Sequence, residues 1–154
     1  YMINKTRSLS LLKKAGLKVT SPRLSVLNVL ASSKKGHLSA EDIYKELLES
    51  ASDIGLATIY RVLSHFQKVK LVSSLNFSSG RTVYEMEKGE HHDHLVCLQC
   101  GIVEEFMDSE IEQRQLNVAK KYQFTLTDHS LTLYGICKKC AKEHTRINSK
   151  INNS

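Results

Sequence analysis

Apolar side chains recur at helical spacing, three or four positions apart, along much of the first half of the chain. This periodicity predicts four helices, because one face of a helix repeats about every 3.6 residues. Pro22 suits the first turn of the second helix, and Ser39 with Asp42 forms a capping box at the start of the third. The predicted helices cover residues 8–15, 22–31, 39–50 and 57–69.

Two strand-like runs, residues 71–77 and 81–86, follow the fourth helix. The Ser-Ser-Gly sequence at residues 78–80 separates them, which predicts a β-hairpin with a short loop. Helices followed by a hairpin are the order of a winged helix-turn-helix domain. In such a domain the second helix of the pair, here residues 57–69, enters the major groove of DNA.

The second half of the chain is typical of a small α/β unit. A helix from residue 108 or 109 to about 122 is predicted, because Ser109 and Glu112 match a capping box and an apolar stripe follows. The stripe, expected to face inward, consists of Ile111, Gln115, Val118 and Tyr122. Strands are predicted at residues 94–97, 102–106 and 131–136.

These elements predict an α+β protein with two domains. Residues 1–87 form the winged helix-turn-helix domain, residues 88–90 a hinge, and residues 91–154 a small α/β domain. The chain from residue 141 onward is polar, which predicts a loosely held tail or an isolated surface helix.

Length and composition fit this picture. Of the 154 residues, 41% are hydrophobic and 25% are charged, close to the globular average. Apolar runs all fall short of the ~18 residues that a membrane span needs. The N-terminal segment lacks the pattern of a secretory signal, which predicts a cytoplasmic protein.

Charge separates the two halves. Residues 1–86 carry 13 basic and 6 acidic side chains, whereas residues 87–154 carry 9 basic and 10 acidic ones. Five of the seven histidines and all four cysteines lie in the second part. This asymmetry indicates polyanion contact by the first half and metal or redox chemistry in the second, although charge alone fits a solvated basic surface equally well.

The four cysteines form two Cys-x-x-Cys pairs. Cys97 pairs with Cys100 and Cys137 with Cys140, and 36 residues separate the pairs. Two such turns supply the four thiolates of a tetrahedral structural zinc site. The alternatives are buried thiols or a redox dithiol, but a redox pair usually needs one Cys-x-x-Cys in a thioredoxin-like βαβ setting. Structural zinc is therefore the favoured interpretation.

Residues 91–94, His-His-Asp-His, directly precede the first cysteine turn. In an extended segment, alternation sends His91 and Asp93 to one side and His92 and His94 to the other. One tetrapeptide can therefore serve two metal sites. Imidazole with carboxylate suits Fe²⁺, Mn²⁺, Co²⁺ or Zn²⁺, and the alternative is a polar edge with a fortuitous histidine cluster.

Several motifs, from about residue 9 to 140, closely resemble the ferric uptake regulator (Fur) family. They are GLKVT at residues 16–20 with Pro22 and Arg23, SAEDIY at 39–44, GLATIYRVL at 55–63, HHDHLVC at 91–97 with Cys100 and Gly101, and YG at 134–135 with Cys137. The resemblance implies a homodimeric, metal-dependent transcription regulator with a C-terminal dimerisation domain. It also implies that the metal-bound dimer binds AT-rich palindromic operator DNA and represses iron-uptake genes.

The resemblance also assigns three metal sites. The four cysteines match the structural zinc site. The regulatory site at the hinge, for Fe²⁺ with Mn²⁺, Co²⁺ or Zn²⁺ as substitutes, matches His37, Glu85, His92, His94 and Glu105. The third site, within the dimerisation domain, matches His91, Asp93, Glu112 and His129.

Five residues are expected to contact DNA. Tyr60 and Arg61 start the predicted recognition helix and suit base and phosphate contacts. Lys18 resembles the family's lysine that reaches the narrow minor groove. His65 is interpreted as a helix-surface residue without a role. The full set is Lys18, Arg23, Thr58, Tyr60 and Arg61.

Other functions stay open at this point. A zinc or manganese sensor of the same family shares these motifs, whereas a peroxide sensor tends to have aspartate where this chain has Glu85 and Glu105. A metalloenzyme could use the same ligand types with an open coordination position. The sequence has no separate nucleophile, substrate-binding motif or phosphate-cradling glycine loop, so the prediction is a regulator and not an enzyme.

Overall fold

The computed structural model describes residues 2–143, so most of the predicted polar tail lies outside the described residues. The chain divides into two compact units after Gly89, within the predicted hinge. Gly89 adopts a positive φ of 72°, a conformation that side chains with a Cβ rarely accept. Every helix in the described part is too short or too polar to cross a bilayer. The roles of the two units stay predictions.

The first unit contains four helices followed by a hairpin, as predicted. Helix α1 begins at Met2 rather than at residue 8, which is the main difference from the expected bounds. The helices are α1 (Met2–Lys14), α2 (Ser21–Ser32), α3 (Ala40–Glu49) and α4 (Leu56–Lys68), and the strands are β1 (Val72–Asn76) and β2 (Thr82–Met86). With the second unit, these elements confirm the α+β class.

Caps and apolar stripes explain where these helices begin and which face they bury. The capping box of Ser39 and Asp42 is present in both directions, satisfying two backbone N–H groups that have no partner within the helix. Helix α4 buries Ile59, Leu63 and Phe66 completely against the other helices. The opposite face of α4 is left for solvent or a ligand.

A residue before α3 also pairs with the hairpin, which the sequence pattern did not predict. Strands β1 and β2 are antiparallel, with Ser73 opposite Glu85. Leu38 adds an isolated bridge to Tyr84, whose N–H donates to the Leu38 carbonyl over 2.7 Å. Their chain neighbours His37 and Glu85 are thereby brought side by side.

The second unit is a three-stranded sheet with one helix. Strand β3 is central, pairs antiparallel with β4 and parallel with β5, and the order is β4-β3-β5. These elements are β3 (Asp93–Cys97), β4 (Val103–Phe106), α5 (Ser109–Lys121) and β5 (Thr132–Gly135).

One prediction about α5 is wrong, and a second is correct only in part. Its N-cap is Asp108, whose carboxylate accepts from the N–H groups of Glu110 and Ile111, so Ser109 and Glu112 do not form the capping box. The stripe predicted to face inward is covered only in part, because Ile111 and Gln115 are half-buried, whereas Val118 is 56% and Tyr122 65% exposed. The helix makes no close backbone contact with another described helix or strand, and the end of the stripe at Val118 and Tyr122 is exposed within residues 2–143.

Candidate metal centres and the exposed face of helix α4

The four cysteines meet at one end of the second sheet. Cys97 ends β3, and the parallel strand β5 places Gly135 opposite it, two positions before Cys137. The four ligand sulfurs all lie within 4.8 Å of one another, and none of the cysteines is in a disulfide. The strand pairing thus joins two turns that are far apart in the sequence.

The sulfur positions fit a tetrahedral zinc ion. The Sγ atoms of Cys100 and Cys137 are 3.8 Å apart, and ligands about 2.3 Å from a tetrahedral zinc are separated by about 3.8 Å. Backbone N–H groups of Cys100 and Cys137 lower the pKa of the Cys97 thiol to about 6, whereas burial and the neighbouring thiols raise the pKa of Cys140 to about 12. A bound divalent cation would allow all four sulfurs to ionise together.

A second donor set surrounds the first residue of β3. His91 Nε2 lies 3.2 Å from Asp93 Oδ1 and 3.4 Å from Glu112 Oε1. His129 Nε2 lies 3.1 Å from the same oxygen of Glu112. Two imidazoles and two carboxylates within 4.8 Å of one another match a nitrogen and oxygen site for a divalent cation.

Asp93 provides the best evidence that this set suits a cation. It is 1% exposed, and its Oδ2 has no hydrogen-bond donor among the described residues. A buried carboxylate oxygen that accepts no hydrogen bond is costly, and a bound cation would compensate this cost. Glu112, freed from the predicted capping role, is available as a ligand.

The first unit holds two of the residues predicted for the regulatory site. His37 Nε2 lies 2.9 Å from Glu85 Oε2, and both residues are buried. The Ser73 hydroxyl donates to Glu85 Oε1 over 3.3 Å from the opposite strand. Sequence reasoning missed Ser73, although the register of a short hairpin would have placed it beside Glu85.

The second unit holds the other three predicted ligands. His94 and Glu105 are paired opposite each other on β3 and β4. His92 Nε2 lies 3.8 Å from Glu105 Oε1, and the rings of His92 and His94 are 4.9 Å apart. His94 is 5% exposed. His92 and His94 are therefore close together, whereas His91 groups with Asp93, as strand alternation predicts.

Helix α4 carries the predicted DNA contacts on its uncovered side. Tyr60 and Arg61 are exposed, and Thr58 is half-buried. The Tyr60 hydroxyl donates to Glu41 Oε1 of α3 over 2.8 Å. This bond raises the pKa of Tyr60, while the Glu41 backbone N–H and the Tyr60 hydroxyl lower the pKa of the Glu41 carboxyl. Glu41, which sequence reasoning did not single out, therefore orients the tyrosine.

The other two predicted DNA contacts lie next to each other in the first unit. Lys18 is exposed before α2, and Nη1 of Arg23 donates to its backbone carbonyl over 2.7 Å. Thr20 caps α2 by accepting from the Arg23 N–H over 3.4 Å. Both the backbone and the side chain of Arg23 are thus held at the start of the helix.

Known proteins share both the sequence and the fold. The sequence model of the ferric uptake regulator family matches residues 14–134. A ferric uptake regulation protein of Legionella pneumophila is 57% identical over 129 residues, which cover 84% of this chain and 95% of that protein.

Two solved structures are similar over most of the chain. The ferric uptake regulator of Francisella tularensis, determined with iron, has a TM-score of 0.78 at 36% identity and covers 82% of this chain and 96% of that one. The regulator of Helicobacter pylori, described as having three functional metal binding sites, has a TM-score of 0.76 at 37% identity and covers 91% of this chain and 93% of that one.

Proposed function

The chain belongs to the ferric uptake regulator family, and we propose that it is a dimeric, Fe²⁺-responsive repressor that binds palindromic, AT-rich operator DNA. The family's members are transcription regulators, so the metalloenzyme alternative is set aside. The observation that carries the proposal is the set of buried donor residues in both units. On this proposal the protein acts in the cytoplasm, with operator DNA and a second copy as its partners.

The three donor sets suit different metals. A closed set of four thiolates favours zinc and contributes folding energy, which is the role proposed for the cysteines. The histidine and carboxylate sets suit Fe²⁺, with Mn²⁺, Co²⁺ or Zn²⁺ as substitutes. The relatives determined with iron and described with three metal sites support this assignment.

The proposed switch acts through ligands that belong to different units. His37 and Glu85 lie in the first unit, whereas the second unit contributes His92, His94 and Glu105. When bound, the metal supplies a positive charge that attracts the ligands of the first unit and those of the second unit. Side chains from both units would then restrict the hinge at residues 88–90 and raise the population of one domain orientation.

In a dimer, the orientation of the two domains of each chain would determine how the two α4 helices meet DNA. The exposed apolar side chains at the C-terminal end of α5, which include Val118 and the C-cap residue Tyr122, offer a surface for a second copy. In a two-fold dimer the α4 helices must match the spacing of two DNA half-sites. A fixed hinge would set that spacing, so metal binding would favour the operator-binding form.

Zinc, manganese and peroxide sensors of the same family are the alternatives. Glu85 and Glu105 stand where the peroxide-sensing branch tends to have aspartate, so iron sensing is favoured. Titrating operator binding against Fe²⁺, Mn²⁺ and Zn²⁺ in turn, without oxygen, tests the choice. The proposal requires Fe²⁺ to activate binding at the concentration of free iron in the cell.

We expect Arg61→Ala or Tyr60→Ala to reduce the preference for operator over random DNA. Loss of one base contact typically costs ~1 to 3 kcal/mol at a single position. The measurement is the ratio of operator to random-DNA affinity, with metal at fixed salt. Equal losses on both DNAs would show that α4 is not the reading helix.

Lys13→Ala with Lys14→Ala is the matched control for these variants. Both lysines are exposed at the end of α1 and are expected to act only through their charge. Counterion release carries no sequence information. The control should therefore weaken both DNAs about equally and flatten the salt dependence.

Asp93→Asn is expected to have opposite effects on the thermal stability of the protein without and with a cation at the third site. Without added metal the variant should unfold at the same or a higher temperature, because a buried charge has been removed. When both proteins also carry His37→Ala and Glu85→Ala, so that the regulatory site does not contribute, Mn²⁺ at about 100 times Kd should stabilise the protein that keeps Asp93 by about 2.7 kcal/mol and the Asp93→Asn variant almost not at all. The measurement is thermal unfolding of zinc-loaded protein with and without Mn²⁺, and an unchanged gain would exclude Asp93 as a ligand.

A further inference from the structure

The guanidinium group of Arg23 is held from two sides within the first unit. Its Nη1 donates to the Lys18 carbonyl over 2.7 Å, and its Nη2 lies 3.3 Å from Nδ1 of His65. Lys18 precedes α2, Arg23 lies in the first turn of α2, and His65 lies near the end of α4. One side chain therefore joins the start of α2 to the helix proposed to read DNA.

The hydrogen-bond chemistry fixes the role of His65. Arginine has only donors, so Nδ1 of His65 must accept, and the neutral ring then carries its proton on Nε2. These bonds use two of the five guanidinium N–H groups. Within residues 2–143 the Arg23 side chain makes no other hydrogen bond, so three N–H groups are available to an outside acceptor such as phosphate or a base edge.

Orientation matters because arginine reads DNA through a planar fork. A guanidinium that binds two acceptors at once distinguishes a base edge from a single phosphate oxygen only if its plane is fixed. An unrestrained arginine loses rotamer freedom when it forms a bidentate contact, which makes that contact less favourable. Such an arginine would instead bind single phosphate oxygens on any sequence. A neighbour that fixes the plane before binding therefore favours specific contact.

Building on the proposed function, we propose that His65 is a positioning residue for DNA recognition. Its Nδ1 holds the Arg23 guanidinium beside α4 and so raises the preference for operator over random DNA. The pair is not needed to pack the helices, because Leu27 of α2 and Leu63 of α4 are already fully buried in the same core. Arg23 and His65 are both only half-buried.

The test compares two substitutions of His65. His65→Leu keeps a similar volume but has no acceptor, whereas His65→Asn places Oδ1 at the same number of bonds from the backbone as Nδ1. We expect the ratio of operator to random-DNA affinity to fall about fivefold to tenfold in His65→Leu. His65→Asn should restore most of that ratio.

The probes are a duplex enriched by the wild type from a random pool and a scrambled duplex of equal composition, at fixed salt with saturating Mn²⁺. In the background of Arg23→Ala, His65→Leu should cause almost no further loss, since the partner is already gone. Arg23→Lys keeps the charge without the fork, and it should lower the ratio while retaining affinity for scrambled DNA. If His65→Leu does not fold, His65→Ala takes its place, because it also removes the acceptor and adds no apolar group.

Three results would overturn the proposal. They are an unchanged ratio in His65→Leu, no recovery in His65→Asn, and full additivity of His65→Leu with Arg23→Ala. Thermal unfolding of each variant separates a loss of specificity from a loss of stability. If the wild type itself shows no preference for the enriched duplex, the proposed DNA-binding function fails instead, and the two failures are distinguishable.

Discussion

Cys97→Ser is expected to release about one zinc ion per chain and to destabilise the second unit. The four sulfurs lie within 4.8 Å of one another, and a closed tetrahedral site loses much of its folding energy when one thiolate is removed. Apparent zinc-binding energies in small zinc domains are about 10–16 kcal/mol, so even partial loss exceeds the effect of an ordinary surface substitution. Metal analysis, thermal unfolding and sedimentation measure the three consequences.

Gln99→Ser is the matched control, because Gln99 is exposed within the same turn, between Cys97 and Cys100. It should keep its zinc, its unfolding temperature and its oligomeric state. Cys140→Ser should behave as Cys97→Ser does, since both side chains are buried in the same cluster. A Cys97→Ser protein that stays zinc-loaded and dimeric would rule out a structural role for the site.

The elements of the first unit could be predicted because each carries its own local signal. The apolar stripe of α4 and the capping box at Ser39 depend only on residues three or four positions apart. The Leu38 bridge to Tyr84 joins segments 46 positions apart, between which the sequence has no local relation. Tertiary packing creates that bridge, and with it the closeness of His37 and Glu85.

Helix α5 has two features that residues close in the sequence do not determine, its N-cap residue and the surface that covers its apolar face. Its position follows from the pattern, but two acceptable N-caps stood side by side, and the structure uses Asp108 instead of Ser109. Periodicity also indicates an apolar face without saying what covers it. Within one chain, Val118 and Tyr122 stay exposed, so the pattern alone does not predict which surface covers them.

Some residues of the candidate sites lie in local sequence motifs, whereas others lie in no motif. The Cys-x-x-Cys pairs and the residues 91–94 are compact motifs whose spacing reflects ligand geometry. Glu85, Glu105 and His129 are single polar residues in strands or loops, and only the family resemblance singled them out. Strand pairing is what brings Glu105 opposite His94, and no local pattern encodes that pairing.

His37→Ala combined with Glu85→Ala is expected to give a folded dimer whose DNA binding is weak and independent of metal. The two side chains are buried and 2.9 Å apart. Removing both avoids leaving one buried polar partner alone, which would destabilise the unit. The measurement is operator affinity as a function of Mn²⁺ concentration, beside thermal unfolding.

Asn76→Ala with Thr82→Ala is the matched control on the same hairpin. Thr82 donates to Asn76 Oδ1 over 2.8 Å across the two strands, and neither residue is a proposed ligand. This control removes a cross-strand pair without touching the regulatory site. It should keep the wild-type response to metal.

Reciprocity provides a second, independent measure of the same double variant. If metal raises operator affinity by a given factor, the operator must raise metal affinity by that factor, and allosteric factors are typically about 5 to 150. Replacing His37 and Glu85 removes the first unit's share of the ligands, so both factors should fall to about one together. Metal titrations with and without operator measure the second factor. A variant in which DNA still tightens metal binding as in the wild type would place the coupling at other residues and overturn the regulatory assignment.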